Sequence, residues 1–160
     1  MSRAVKHAQS ILGHYWDGII PVKPEKIIEK IGDLEIIYTE GLSDNISGKK
    51  FYDFDKGHYV IEINKNHHEN RKRFTAAHEL GHYALNHGDK EDVLYRNSSI
   101  DSSPDEVEAN AFAAEILMPA SAIRHLVFEK GVTKIEDLAY QLWVSEQAML
   151  YRLKNLGLIS

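Results

Sequence analysis

The 160-residue chain contains no cysteine. That excludes a disulfide framework, a thiolate zinc knuckle, a cysteine-ligated iron–sulfur cluster and a cysteine nucleophile. Any metal must therefore sit mainly on histidine and carboxylate. The chain also lacks an excess of positive charge: 19 Lys+Arg stand against 24 Asp+Glu, a net charge of −5. A mildly acidic balance gives no general reason to bind DNA or an anionic membrane. No apolar run of ~7–15 residues follows Arg3 and Lys6 as an export signal requires, and no stretch reads as the ~20 apolar residues of a membrane span. The expectation is a cytoplasmic protein without a membrane anchor. What is present is a 43% hydrophobic content, enough for one core, and nine histidines. Such a length suggests one domain with a small appendage.

Helical spacing runs over Ser2–Tyr15, with Val5, Ala8, Ile11, Leu12 and Tyr15 on one face, and a short helix over Glu25–Ile31 ends at Gly32. Strands are expected at Leu34–Tyr38, Phe51–Phe54 and His58–Ile63, the last two joined by a turn at Asp55-Lys56-Gly57. From Asn70 the pattern is helical to Asn86, then polar and loop-like over Asp89–Ser103. Ser103-Pro104-Asp105-Glu106 is a helix start, with a capping serine, a proline in first position and acids in the first turn. That helix stops at Pro119. Others follow at about 121–129, 134–142 and 146–155. The order predicts an α+β fold: a small antiparallel sheet of about three strands on a helix, then C-terminal helices. Residues 1–131 form the main domain in this reading, and 132–160 a helical subdomain packed on it.

The segment His78-Glu79-Leu80-Gly81-His82 carries the chemistry. Histidines at i and i+4 project from one helix face, about 40° apart around the axis. Two imidazoles so placed can grip one zinc ion. Glu79, beside that face, can take a proton from a water whose pKa zinc has lowered toward ~7. This is the HExxH zincin arrangement. The bland alternative, an amphipathic helix with two solvated histidines, fits poorly with Ala76, Ala77, Leu80, Gly81, Ala84 and Leu85 around them.

A catalytic zinc needs a third protein ligand and an open position. The HExxHxxGxxH pattern fails, because Leu85 and Gly88 stand at its Gly and third His positions. Among the acids of the later helix, Glu106 shares a stripe with Asn110, Ala113 and Leu117 at about 100° per residue. Glu106 is the expected ligand, with Glu108 as the fallback; Glu108 and Glu115 fall on a second stripe that suits solvent. Asn110 is placed to hydrogen-bond the outward nitrogen of a zinc histidine.

The run from Arg73 to His82 (RFTAAHELGH), followed by EVEANAFAAEILMP, resembles the ImmA/IrrE family of zinc metallopeptidases. The resemblance covers roughly Glu62 to the C-terminus, and the first ~50 residues share only the general layout. It implies a gluzincin-like site in which the family's HExxH corresponds to His78, Glu79 and His82, and its zinc-binding glutamate to Glu106. It further implies cleavage of a DNA-binding transcriptional repressor of a phage, mobile element, stress or toxin–antitoxin system, commonly encoded next door. The chain is similar to the short, phage-type members and too short for the C-terminal sensor domain of longer ones. The alternative function is a non-proteolytic, zinc-bearing partner that sequesters a repressor or a toxin–antitoxin protein.

Other features carry blander expectations. The strand His58–Ile63 is a candidate cleft edge that pairs with an extended substrate. Tyr83, Tyr95, His125, Tyr140 and Tyr151 are all open as oxyanion donors. His87, about 180° from His78 on an extended helix, reads as solvated or capping. Arg71-Lys72-Arg73 reads as a solvated flank, with a structural role open for Arg73. Residues 135–158 have a spacing that resembles a helix-turn-helix. However, Lys134, Arg152 and Lys154 against Glu136, Asp137 and Glu146 leave residues 132–160 neutral, so packing or partner docking is expected rather than DNA reading.

Overall fold

The computed structural model describes residues 1–88, 90–93 and 103–160, with residues 90–93 described by their backbone. Helix α1 (Arg3–Tyr15) starts at Ser2, whose hydroxyl accepts from the Val5 amide, and buries Ala4, Ala8 and Leu12. Pro24 opens α2 (Pro24–Lys30), where its missing N–H costs nothing. Strands β1 (Leu34–Thr39), β2 (Ile46–Asp53) and β3 (His58–Asn64) precede α3 (Glu69–Ala84). After it come β4 (Lys90–Val93), α4 (Pro104–Leu117) and α5 (Ala120–Arg124), which runs into a π-turn at His125–Glu129. Two further helices, α6 (Ile135–Leu142) and α7 (Glu146–Asn155), close the chain.

The α+β class matches the expectation, but the sheet does not. It is mixed, has four described strands and runs in the order β1-β3-β2-β4. β1 and β3 are parallel, while β2 is antiparallel to both β3 and β4. The connection from β1 to β2 skips one strand position, and β3 returns to fill it. Its consequence is that His58–Ile63 lies in an interior strand, hydrogen-bonded on both sides. It therefore has no free edge for a substrate backbone. Interior placement also explains why Val60, on the polar side of the alternation, is buried with Ile61 and Ile63.

β2 begins five residues earlier than its apolar content suggests, because its first half is Ile46-Ser-Gly-Lys-Lys50. Gly48 is required there: a Cβ would lie 2.6 Å from the Glu62 carbonyl oxygen and 2.7 Å from the Thr75 methyl of α3. Residues 90–93 form a strand where a loop was expected. Residues 89 and 94–102 of that loop, Tyr95 among them, lie outside the described residues.

One hydrophobic core joins all layers. Ile61, Ile63, Leu80, Phe112, Ile116, Leu138, Leu142, Met149 and Leu153 belong to it together. The segment Pro104–Glu129 is long and apolar enough, by length and composition, to cross a membrane, which the sequence reading did not expect. Its apolar residues Ala109, Phe112, Ala113, Ile116, Leu117 and Ile123 are buried in this core instead.

Glu115 is not a solvent-facing acid. It is buried on α4 and paired with buried Arg152 of α7, whose Nε also donates to the Met118 carbonyl at 3.0 Å. Removing one partner strands the other charge in the core, at a cost of ~3–5 kcal/mol. Arg152→Leu should therefore lower unfolding stability by about that amount. Glu115→Leu combined with Arg152→Met should recover most of the loss, as read by urea denaturation of the three proteins.

Candidate metal centre

The site forms where α4 crosses α3. Gly81 is the crossing point: a Cβ there would lie 3.0 Å from the Phe112 ring and 3.2 Å from its Cβ. Because Gly81 has no side chain, α4 packs directly against the HExxH turn. The cap on α4 then fixes its first residues. The Ser103 hydroxyl accepts from the Glu106 amide, and Pro104 and Asp105 hold the first turn. Glu106 is thereby turned toward α3.

His78, Glu79 and His82 are all buried, Glu79 and His82 completely. One ligand atom from each of the three falls within a 4.8 Å cluster. The two imidazoles face each other at right angles, with Nε2 atoms 3.1 Å apart. Glu106 closes the group: its Oε2 lies 2.8 Å from His78 Nε2 and its Oε1 3.1 Å from His82 Nε2. A tetrahedral ion with bonds of ~2.0–2.1 Å needs donor atoms about 3.3 Å apart. The observed spacings of 2.8–3.1 Å are close to that. Two nitrogens and a carboxylate are a donor set suited to a borderline divalent metal.

Phe74, one turn before His78, lies 5.7 Å from its ring. Together with Ala114, Leu117, Trp143, Val144 and Ala148 it lines an open cavity of about 540 Å³ between α3, α4 and α7. Arg73 is structural. Its guanidinium donates to the carbonyls of Val22 and Trp143 and stacks over the Trp143 ring, tying α3 to the C-terminal helices.

The remaining sequence candidates lie as follows. Asn110 is exposed on α4, and the group that meets the outward nitrogen of His82 is a different one. Glu108 points away from the Glu106 cluster. Its carboxylate accepts from His87 Nε2 at 3.1 Å and from Arg3 Nη1 at 3.0 Å. These two donors hold Glu108 below the usual carboxylate range. Tyr83 donates its hydroxyl to Asp33 at 2.7 Å, His125 pairs with Glu129, and Tyr140 and Tyr151 are exposed on α6 and α7.

His87 is neither solvated nor opposite His78. It is buried, and its Nδ1 lies 2.8 Å from Nδ1 of His82. Helical angles do not carry from His78 to His87, because α3 ends at Ala84. Asn86 takes the left-handed conformation, φ 57°. The Asn86 amide then donates to the Tyr83 carbonyl, and the His87 amide to the His82 carbonyl. This is the Schellman arrangement, which brings the side chain two residues beyond the cap against the third residue before it. Here those two side chains are His87 and His82. The signal was in the sequence: Asn86, a residue that tolerates φ > 0, stands just past the apolar pattern.

The chain matches the family model described as the IrrE N-terminal-like domain, a peptidase family, over residues 35–154. It is 36% identical over 107 residues to a Bacillus phage phi105 protein named "Uncharacterized immunity region protein 2", covering 67% of this chain and 65% of that one. It is 37% identical over 108 residues to the radiation response metalloprotease IrrE of Deinococcus deserti, covering 62% of this chain and 37% of that one. The match to IrrE of Deinococcus radiodurans has the same identity and covers 32% of that protein. The chain thus spans about two thirds of the phage relative and about a third of the Deinococcus proteins. A solved structure of a Mycobacterium tuberculosis transcriptional regulator shares the fold, with a TM-score of 0.63 at 15% identity over 94% of this chain and 46% of that one.

The geometry makes Gly81 the most sensitive neutral position of the site. Overpacking Phe112 costs ~1–3 kcal/mol, and the helix preference for alanine returns up to ~1 kcal/mol. Gly81→Ala should show a net loss on the order of 1 kcal/mol in thermal unfolding. It should also weaken divalent-metal binding, because α4 carries Glu106 outward.

Proposed function

Since the chain belongs to the IrrE N-terminal-like peptidase family, we propose that it is a zinc-dependent endopeptidase that cuts a DNA-binding transcriptional repressor. The observation that carries this reading is the convergence of His78 Nε2, His82 Nε2 and both Glu106 oxygens beside the buried carboxylate of Glu79. His78, His82 and Glu106 would hold the zinc. When bound, zinc supplies a Lewis acid for the peptide carbonyl and lowers the pKa of water.

The chain's own residues do the rest. Glu79 sits on the same helical turn as the two histidines and is buried with them. It takes the proton from the attacking water and delivers it to the leaving amine, so that the peptide C–N bond breaks and the carboxylate is left behind. Burial on α3 keeps the Glu79 carboxylate in place between those two transfers.

The repressor substrate is supported by the immunity-region name of the phage relative and by the family resemblance. We place the protein in the cytoplasm, where such a repressor acts. The neutral 132–160 segment docks or packs rather than reading DNA.

The decisive experiment incubates the protein with zinc and candidate helix-turn-helix repressors from its genomic neighbourhood, and follows cleavage by mass spectrometry. A single cut with wild type is expected. Glu79→Gln should retain zinc, measured by elemental analysis, and lose cleavage by ~10²-fold or more, the lower range for a lost general base. Cleavage by that variant would overturn the mechanism. Relief of repression without cleavage would favour sequestration instead.

A further inference from the structure

His82 meets the proposed zinc through Nε2, so as a neutral ligand it must carry its proton on Nδ1. That proton points at Nδ1 of His87, 2.8 Å away. His87 must then accept at Nδ1, which places its own proton on Nε2. Nε2 faces an acceptor: Glu108 Oε1 at 3.1 Å, with Asp105 Oδ1 at 3.5 Å. Each donor in the chain His82–His87–Glu108 thus meets an acceptor in only one tautomer assignment.

Two cations brace the surroundings of His87. Arg3 of α1 binds both Glu108 oxygens at 3.0 Å and donates Nη2 to the Leu85 carbonyl at 2.6 Å, beside the turn. Buried Lys50 of β2 donates its ammonium to the His87 carbonyl. His87, Asp105 and Glu108 lie close enough to suggest a second cation site. Arg3 already supplies the cation there, so the cluster is better read as the end of a hydrogen-bond chain.

We propose that His87 is a positioning residue for His82. Its Nδ1 fixes the ring tautomer and direction that present the His82 Nε2 lone pair to the metal, and Glu108 and Arg3 anchor it. This rests on the zinc reading above. An imidazole serves here in place of the carboxylate or backbone carbonyl that commonly orients a metal-bound histidine.

The test measures zinc affinity by chelator competition on the purified full chain, with apo-protein unfolding followed in parallel. His87→Phe keeps the ring volume and removes the acceptor, and should weaken zinc binding by ~10–100-fold. His87→Asn retains an oxygen where Nδ1 stood, and should stay within about threefold of wild type, since the orienting bond persists. A general packing role would spare Phe rather than Asn. Glu108→Leu, at the partly exposed end, should weaken binding in the same direction as Phe, and it carries the test if His87→Phe does not fold. Wild-type affinity in His87→Phe, equal losses in Phe and Asn, or an unaffected Glu108→Leu would each overturn the proposal. Failure of the wild type itself to bind zinc would instead overturn the metal reading.

Discussion

The close approach of α4 to α3 at Gly81 is the contact on which the rest of the site depends. Phe112 occupies the space where a side chain at position 81 would lie. With the axes that close, the capped first turn of α4 delivers Glu106 between His78 and His82. A bulkier residue at the crossing would separate the helices while leaving both helices intact. The two histidines and the glutamate would then stay in the sequence and no longer converge. The same contact forms the centre of the hydrophobic core, with Leu80, Phe112 and Ile116 fully buried around it. Fold stability and site geometry therefore share one interface.

Placing ionisable groups there has consequences for the surrounding elements. Buried charge and polarity are tolerated only when paired and hydrogen-bonded. His78, Glu79, His82 and His87 are buried together, and Lys50 enters from the sheet. The polar groups continue outward from His82 through His87 to Glu108 and Arg3, so the chain ends on a partly exposed ion pair rather than in the core. α1, distant in sequence, thereby becomes part of the support of the site. At the other end of α4, Glu115 and Arg152 form a separate buried pair that fixes α7. Both ends of α4 are thus held by charge and its middle by apolar packing.

Legibility in the sequence followed interaction range. The helices were readable because caps, periodicity and proline stops are local: Ser2, Pro24, Ser103 and Ser145 all lie at or beside the helix starts. The pairing of β1 with β3 was not, because strand partners are chosen across the chain and β3 inserts between its predecessors. Glu115 looked like a surface acid because its partner Arg152 lies 37 residues away. His87 departs from its helical angle for a different reason: α3 has ended before it, and the left-handed Asn86 reverses the chain.

Some features follow from the sequence alone. The absence of cysteine restricts any metal to nitrogen and oxygen donors, and the i, i+4 spacing puts His78 and His82 on one helical face. Both are consequences of covalent composition and of the 3.6-residue turn, and they hold however the helix packs. The stripe on α4 singles out Glu106 as the candidate ligand, but the meeting of its carboxylate with both histidines, the diversion of Glu108 to His87 and the interior position of β3 were decided by tertiary structure. Each depends on the direction in which one element meets another. That direction is set by the space left at Gly81, the turn at Asn86 and the strand order, none of which a linear periodicity encodes.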